Sequence, residues 1–163
     1  MSIFREWGVQ EEKGRLKEEM LYNLAASYVL VERMISPILA PFGLSPVKLN
    51  ALMLIKHVGR SQGLSQVELG KKMIVSAGNI TRLLDRLERE KLVERHELAE
   101  DRRIKRIKIT TKGSHLLDKA WPVHLKAVEE VTAAMSEPQM TAANALLDGF
   151  RRKLSISLKE AAK

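Results

Sequence analysis

No cysteine occurs in the 163-residue chain, which excludes a disulfide framework, a thiolate metal site and sensing through a thiol. Aromatic residues are scarce, with two Trp, two Tyr and three Phe. The core therefore has to come mainly from Leu, Ile, Val, Met and Ala. The four histidines, at 57, 96, 115 and 124, lack the spacing of paired ligands, so neither a metal nor another cofactor is expected. A Gly-rich phosphate loop, a nucleophile elbow and a clustered carboxylate pair are all missing, and the chain does not read as an enzyme. The opening MSIFREWGVQEEKGR has no apolar run of the signal-peptide kind, and no later stretch reads as a membrane span. The expectation is a cytoplasmic protein with no membrane partner.

Positive charge is what the chain has in excess. Lys and Arg number 28 against 20 Asp and Glu, a formal +8. Between Ser61 and His115 the balance is 13 basic residues to 8 acidic ones. Such a bias points to a polyanionic partner without specifying a fold. Its densest part is EDRRIKRIKITTKG, residues 100–113, where Arg102, Arg103, Lys105, Arg106, Lys108 and Lys112 follow Asp101 with no acid among them. Alternation places Ile107 and Ile109 on one face of a strand and Arg106 and Lys108 on the other. Two readings compete. One is an edge strand kept unpaired by its lysines; the other is a hairpin arm that grips an anionic polymer.

Around this run the pattern is helical. Leu21, Leu24, Tyr28, Val31, Ile35 and Ile38 recur at alternating spacings of three and four, which predicts a long amphipathic helix ended by Gly43. Ser45-Pro46 predicts a capped helix stopping near Gly59, and Ser65 with Glu68 predicts a capping box opening a short helix. Another helix is expected from Ser76, with Ile80, Leu83, Leu84 and Leu87 as its core face and Asn79, Arg82, Arg86 and Arg89 opposite. LVERHEL and RRIKRIKIT then predict a β-hairpin. From Thr111 the helical period returns through Leu117, Trp121, His124, Val128, Val131 and Met135, with a kink or restart expected at Pro122. Ser136 and Gln139 predict a second capping box before a last helix carrying Met140, Ala143, Leu147, Phe150, Leu154 and Leu158.

Two short helices around a turn, followed by a basic hairpin, describe a winged helix-turn-helix. The expected fold is mainly α with a small β-hairpin wing. On the second helix Ser76, Ala77, Gly78, Asn79 and Thr81 are small or hydrogen-bonding, suited to the edges of bases in a major groove. Arg82 and Arg86 would read guanine or clamp phosphate. Plainer readings exist: Ser76 caps a helix with or without DNA, and Arg89 lies four residues after Asp85, where an intrahelical ion pair would occupy it.

SQVELGKKMIVSAGNITRLLDRLEREKLVERHELAEDRRIKRIKITTKG resembles the DNA-binding core of the MarR family of bacterial and archaeal transcription regulators. The matching residues are Arg82-Leu83-Leu84-Asp85-Arg86-Leu87, Leu92-Val93-Glu94-Arg95, Asp101-Arg102-Arg103 and Ile109-Thr110-Thr111-Lys112-Gly113. The resemblance implies that the hairpin is a wing, that Arg103 reaches into the minor groove, and that Asp101 supports the wing tip through a nearby arginine. Arg102, Lys105, Arg106 and Lys108 would serve the phosphates. One position departs from the family's pattern: Lys91 stands where many members have a glycine closing the recognition helix. A lysine there either adopts a left-handed conformation at a cost of about 1 kcal/mol or ends the helix differently.

The resemblance also implies a homodimer, with 1–40 and 115–163 as a helical dimerisation platform and 41–114 as the winged domain. A sequence-specific regulator of double-stranded DNA, acting on a pseudo-palindromic operator and most simply as a repressor, is the expected function. Many such proteins bind a small phenolic or carboxylate effector. Tyr22, Tyr28, Met34 and His57 are the candidates for its pocket, with plain core as the alternative for each. A non-specific architectural DNA binder and a winged domain recruited to bind protein are the competing functions.

Overall fold

A computed structural model describes residues 2–8, 15–73, 77–97 and 105–161 of the protein, with the backbone alone for residues 77 and 78. Among the described residues seven α-helices and three strands follow in order. They are α1 (Ile3–Glu6), α2 (Leu16–Leu39), α3 (Pro46–Leu54), β1 (Leu64–Ser65), α4 (Gln66–Lys72), α5 (Ala77–Arg89), β2 (Val93–Glu97), β3 (Lys105–Ile109), α6 (Thr111–Thr132) and α7 (Glu137–Ala161).

Local chemistry explains most boundaries. A 3-10 turn over Ala40–Phe42 and left-handed Gly43 close α2. The Ser45 hydroxyl accepts the Lys48 N–H and Pro46 begins α3, whose last turn widens to a π-turn over Ile55–Gly59. At α4 the capping box is complete: the Ser65 hydroxyl accepts the Glu68 N–H, and the Glu68 carboxylate accepts the Ser65 N–H at 2.7 Å. At α7 it is half formed. Gln139 Oε1 accepts from the Ser136 N–H at 2.8 Å, but the serine hydroxyl donates to the same oxygen and so does not cap.

Helix α6 runs unbroken through Pro122, which takes the helical bond from the Asp118 carbonyl; of the kink or restart expected there, the restart does not occur. The Thr132 hydroxyl turns back onto the Val128 carbonyl at 2.8 Å where this helix ends, leaving Met135 outside it.

The three strands form an antiparallel sheet in the order β1-β3-β2. In the hairpin Val93 pairs with Ile109, Arg95 with Ile107 and Glu97 with Lys105. On the other side Leu64 pairs with Ile107 and Ser65 with Arg106. Basic β3 is thus the central strand, and the edge-strand reading is overturned. The core beneath it contains Leu39, Leu52, Ile55, Leu69, Leu84, Leu87, Ile107 and Leu117, all essentially inaccessible. Each such side chain contributes roughly 1.5–3 kcal/mol by burial. Ile80 is buried as expected, whereas Leu83 is only half-buried.

Chain contacts divide the molecule into two compact units, residues 1–127 and 128–163. In the first, α2 leaves a broad apolar surface open: Leu16, Met20, Leu21, Leu24, Tyr28, Leu30 and Met34 are all exposed, although Ile35 and Leu39 are buried. The stretch Leu16–Phe42 is also long and apolar enough to cross a bilayer by length and composition, contrary to the expectation that none was. The second unit contains α7, which buries no residue and exposes Leu146, Leu147, Leu154, Ile156 and Leu158.

A candidate nucleic-acid interface on helix α5 and the wing

Helix α5 buries Ile80, Leu84 and Leu87 and presents Asn79, Thr81, Arg82, Arg86 and Arg89 to solvent. It crosses α4 closely enough that a Cβ on Gly70 would lie 2.8 Å from Ile80 Cδ1. Gln66 Nε2, on the first turn of α4, donates to Thr81 Oγ1 at 2.8 Å, joining the two helices.

Most acidic side chains around this face are engaged by a neighbouring basic side chain. Arg95 on β2 bonds Asp85 at 2.6 Å with one guanidinium nitrogen and Glu88 with another, tying the wing to the flank of α5. Asp85 therefore serves Arg95 and not Arg89, against the intrahelical pair expected. Arg106 on β3 bonds Glu68 at 2.5 Å, joining the wing to α4. Backbone and hydroxyl hydrogen bonds from Ser65, with the Arg106 charge behind them, lower the Glu68 pKa below the ordinary carboxylate value. Glu90 is held by Lys48 at 2.6 Å and Glu94 by the His96 ring at 2.7 Å.

Among the described residues Arg82 and Arg86 have no acidic partner. Lys105 is exposed and Lys108 half-buried on the strand between. Scaffold side chains hold five of the six described acids of this region, Glu97 excepted, and Arg82 and Arg86 of the α5 face are left over. Such a face suits a phosphate-lined groove. Arg106 is the exception among the expected phosphate contacts, since its partner lies within the protein. The readings for Ser76, Asp101, Arg102 and Arg103, and for the Ala77 and Gly78 side chains, fall outside the described residues.

The end of α5 resolves the Lys91 question. Lys91 takes a left-handed conformation, with φ 59°. The Lys91 N–H bonds the Glu88 carbonyl at 2.8 Å and the Leu92 N–H bonds that of Leu87 at 2.9 Å. That pair of bonds is the Schellman helix ending, formed with a lysine where glycine is favoured. The helix therefore ends as a glycine would end it, at a conformational cost of about 1 kcal/mol.

The chain after β3 is locked to the same place. The Thr110 hydroxyl donates to the Lys91 carbonyl at 2.8 Å and accepts the Gly113 N–H at 3.0 Å. Gly113 is required because a Cβ there would sit 2.1 Å from the Leu92 carbonyl oxygen. Residues Ile109 to Gly113 thus fasten the sheet, the end of α5 and α6 together. Tyr22 packs edge-on with Phe4 and Trp7, at 5.6 and 5.4 Å between ring centroids. Like Tyr28, Met34 and His57 it remains exposed, so none of the four is plain core.

Helix, tight crossing, second helix and a three-stranded wing define a winged helix-turn-helix protein. Residues 42–104 match the sequence profile of the MarR family. Over 98 residues the chain is 35% identical to the HTH-type transcriptional regulator MhqR of Bacillus subtilis (strain 168), covering 60% of this chain and 66% of that one, just under two thirds of its length. Over 114 residues it is 32% identical to the HTH-type transcriptional repressor YetL of the same organism, covering 70% and 68%. A crystal structure of mutant MarR from E. coli complexed with operator DNA superposes with a TM-score of 0.77 at 21% identity, over 86% of this chain and 99% of that one. The organohalide-sensing transcriptional regulator RdhR, in its 2,4-dichlorophenol bound form, gives 0.79 at 17% identity, over 91% and 84%. At such identities the two structures establish the fold alone. The chain belongs to the MarR family of DNA-binding transcriptional regulators.

Proposed function

We propose that this protein binds a pseudo-palindromic operator in double-stranded DNA as a homodimer and represses transcription from it. The observation that carries the reading is the sorting of charge around α5. Of six described acids between Gly43 and Ser114, four are held by Lys or Arg and one by His96, yet Arg82 and Arg86 stand exposed without an acid. Asn79, Thr81 and Arg82 would face base edges, with Arg86 on phosphate or guanine. Ser76, Ala77 and Gly78 would line the entering end of the helix. Arg103 would enter the minor groove, with Asp101 steadying the tip and Arg102, Lys105 and Lys108 on phosphates.

The partner for the apolar surfaces of α2 and α7 is a second copy of the chain, with 1–40 and 115–163 as the platform and 41–114 as the reading domain. A bilayer is the poorer partner for α2: Glu32 and Arg33 lie near the middle of Leu16–Phe42, and each such charge costs roughly 2.5–3.5 kcal/mol or more at a membrane centre. A protein of this kind works in the cytoplasm, by binding and without a catalytic step. A small phenolic or carboxylate effector would release it, a reading supported by the dichlorophenol-bound regulator of the same fold. Tyr22, Tyr28, Met34 and His57 remain the proposed lining.

Selection from a randomised duplex library tests the proposal. An inverted repeat should emerge, its half-sites about 10 base pairs apart, because a two-fold dimer presents both helices to one face of the duplex. Retention of all sequences alike would favour an architectural DNA binder. Absence of any DNA retention would leave the protein-binding reading.

A further inference from the structure

We propose that Lys48 and Glu90 are positioning residues that set the angle at which α5 enters the groove, by clamping its C-terminal end to the chain leaving α2. The inference rests on the operator-binding reading above. Lys48 is the only polar or charged residue buried among the described residues, at 8% exposure. Its ammonium donates to both Glu90 carboxylate oxygens, at 2.6 and 2.7 Å, and to the Gly43 carbonyl at 3.0 Å. Three donors thus meet three acceptors, which satisfies the ammonium completely.

The partners give this satisfaction its meaning. Gly43 closes the turn that follows α2, Lys48 sits in the first turn of α3, and Glu90 is the residue directly after α5. The Glu90 carbonyl also accepts from Lys112 Nζ, on α6, at 2.9 Å. One residue therefore joins the recognition helix to the exit of α2, to α3 and to α6. By contrast, the bonds from Gln66 and Arg95 tie α5 only to α4 and the wing.

An ion pair with its lysine buried and its carboxylate half-exposed is a weak source of stability, because a methionine of similar length fills the space without desolvating a charge. What the pair supplies and a methionine does not is a directional link. Its leverage is large. Thirteen residues of α5 at 1.5 Å each make a rod about 20 Å long. A pivot of about 10° at the clamped end sweeps the reading end through roughly 3.4 Å, one base-pair step.

The test uses duplexes of about 30 base pairs, three helical turns, enriched by the full-length parent from a randomised library. The same duplexes are prepared with one base pair inserted or deleted between the half-sites. The parent should bind the altered spacings at least about tenfold more weakly, the penalty typical of one misplaced contact. Lys48→Met and Glu90→Gln should each narrow that discrimination to about twofold, and the double variant should go no further, as residues of one link do. Lys48→Arg, which keeps a cation for the carboxylate, should restore most of it. Affinity for random duplex should stay within about twofold in all variants, since no phosphate contact is removed.

Glu90→Gln leaves one neutral acceptor, enough to satisfy the buried ammonium for folding but without the charged two-oxygen grip, and so keeps the test decisive should Lys48→Met fail to fold. Parent-like spacing discrimination in Glu90→Gln would overturn the clamp while leaving the operator reading intact. So would two single effects that add in the double variant. A parent that enriches no sequence would overturn the operator reading, and the clamp with it.

Discussion

Arg82 and Lys91 lie nine positions apart, and each is tested by a single substitution. Arg82 is exposed on α5, bonded to nothing among the described residues. Arg82→Ala should therefore leave thermal stability within about 0.5 kcal/mol while weakening operator binding by about 1–3 kcal/mol, with preference relaxed at one base pair per half-site. Titration of operators mutated one pair at a time, beside a thermal melt, checks both halves of that statement. Lys91 is the opposite case, with its backbone at φ 59° and an exposed side chain. Lys91→Gly should raise the free energy of unfolding by about 1 kcal/mol, because glycine enters the left-handed region without a Cβ clash; urea titration of Lys91→Gly against Lys91→Ala measures it. The departure at Lys91 was legible in the sequence, and so were both possible outcomes. Which one occurred depended on bonds from Thr110 and on the neighbouring Leu92 turn, which no local pattern encodes.

Elements whose signals are local were the ones the sequence disclosed. The Ser65–Glu68 box, the Ser45-Pro46 start and the Gly43 stop each rest on groups within a few residues of one another, and all three formed. Strand β1 escaped because two residues show no alternation, and its pairing with β3 made a central strand of what resembled an edge. Arg95 and Arg106 were equally opaque. Their acids lie at 85, 88 and 68, on other elements, so only the fold reveals that these arginines brace the wing. Glu68 links the two kinds of information, being both cap and wing anchor. With its pKa lowered by Ser65 first and Arg106 after, its contribution is present above the ordinary carboxylate pKa and lost as pH falls through the folded value. The stability gap between parent and Glu68→Gln should accordingly be open at neutral pH and close on acidification below the usual carboxylate range. A gap unchanged across that interval, measured by thermal melts at successive pH values, would mean the anchor is not ionic.

For the molecule as a whole, basic excess and apolar helices were both visible in the sequence, but what each faces was not. The structure shows a winged domain in which five of the six described acids are held by neighbouring side chains, and helices α2 and α7 with many apolar side chains exposed. If each protomer neutralises about four to five phosphates, the log–log slope of affinity against salt should be about −7 to −9 for the dimer. A slope shallower than about −3 would place the basic wing against solvent or protein. Sedimentation equilibrium should give a dimer, and removal of residues 137–163 should leave monomeric or insoluble protein with little DNA affinity. The most direct measurement is a competition at fixed salt between a library-selected duplex and random duplex, run with the parent and with Arg82→Ala. A sequence-specific regulator should prefer the selected duplex by about a thousandfold or more, and Arg82→Ala should lose most of that preference while still binding random duplex. Equal affinity for both duplexes, or a preference that Arg82→Ala leaves untouched, would contradict the assignment of α5 as the helix that reads DNA.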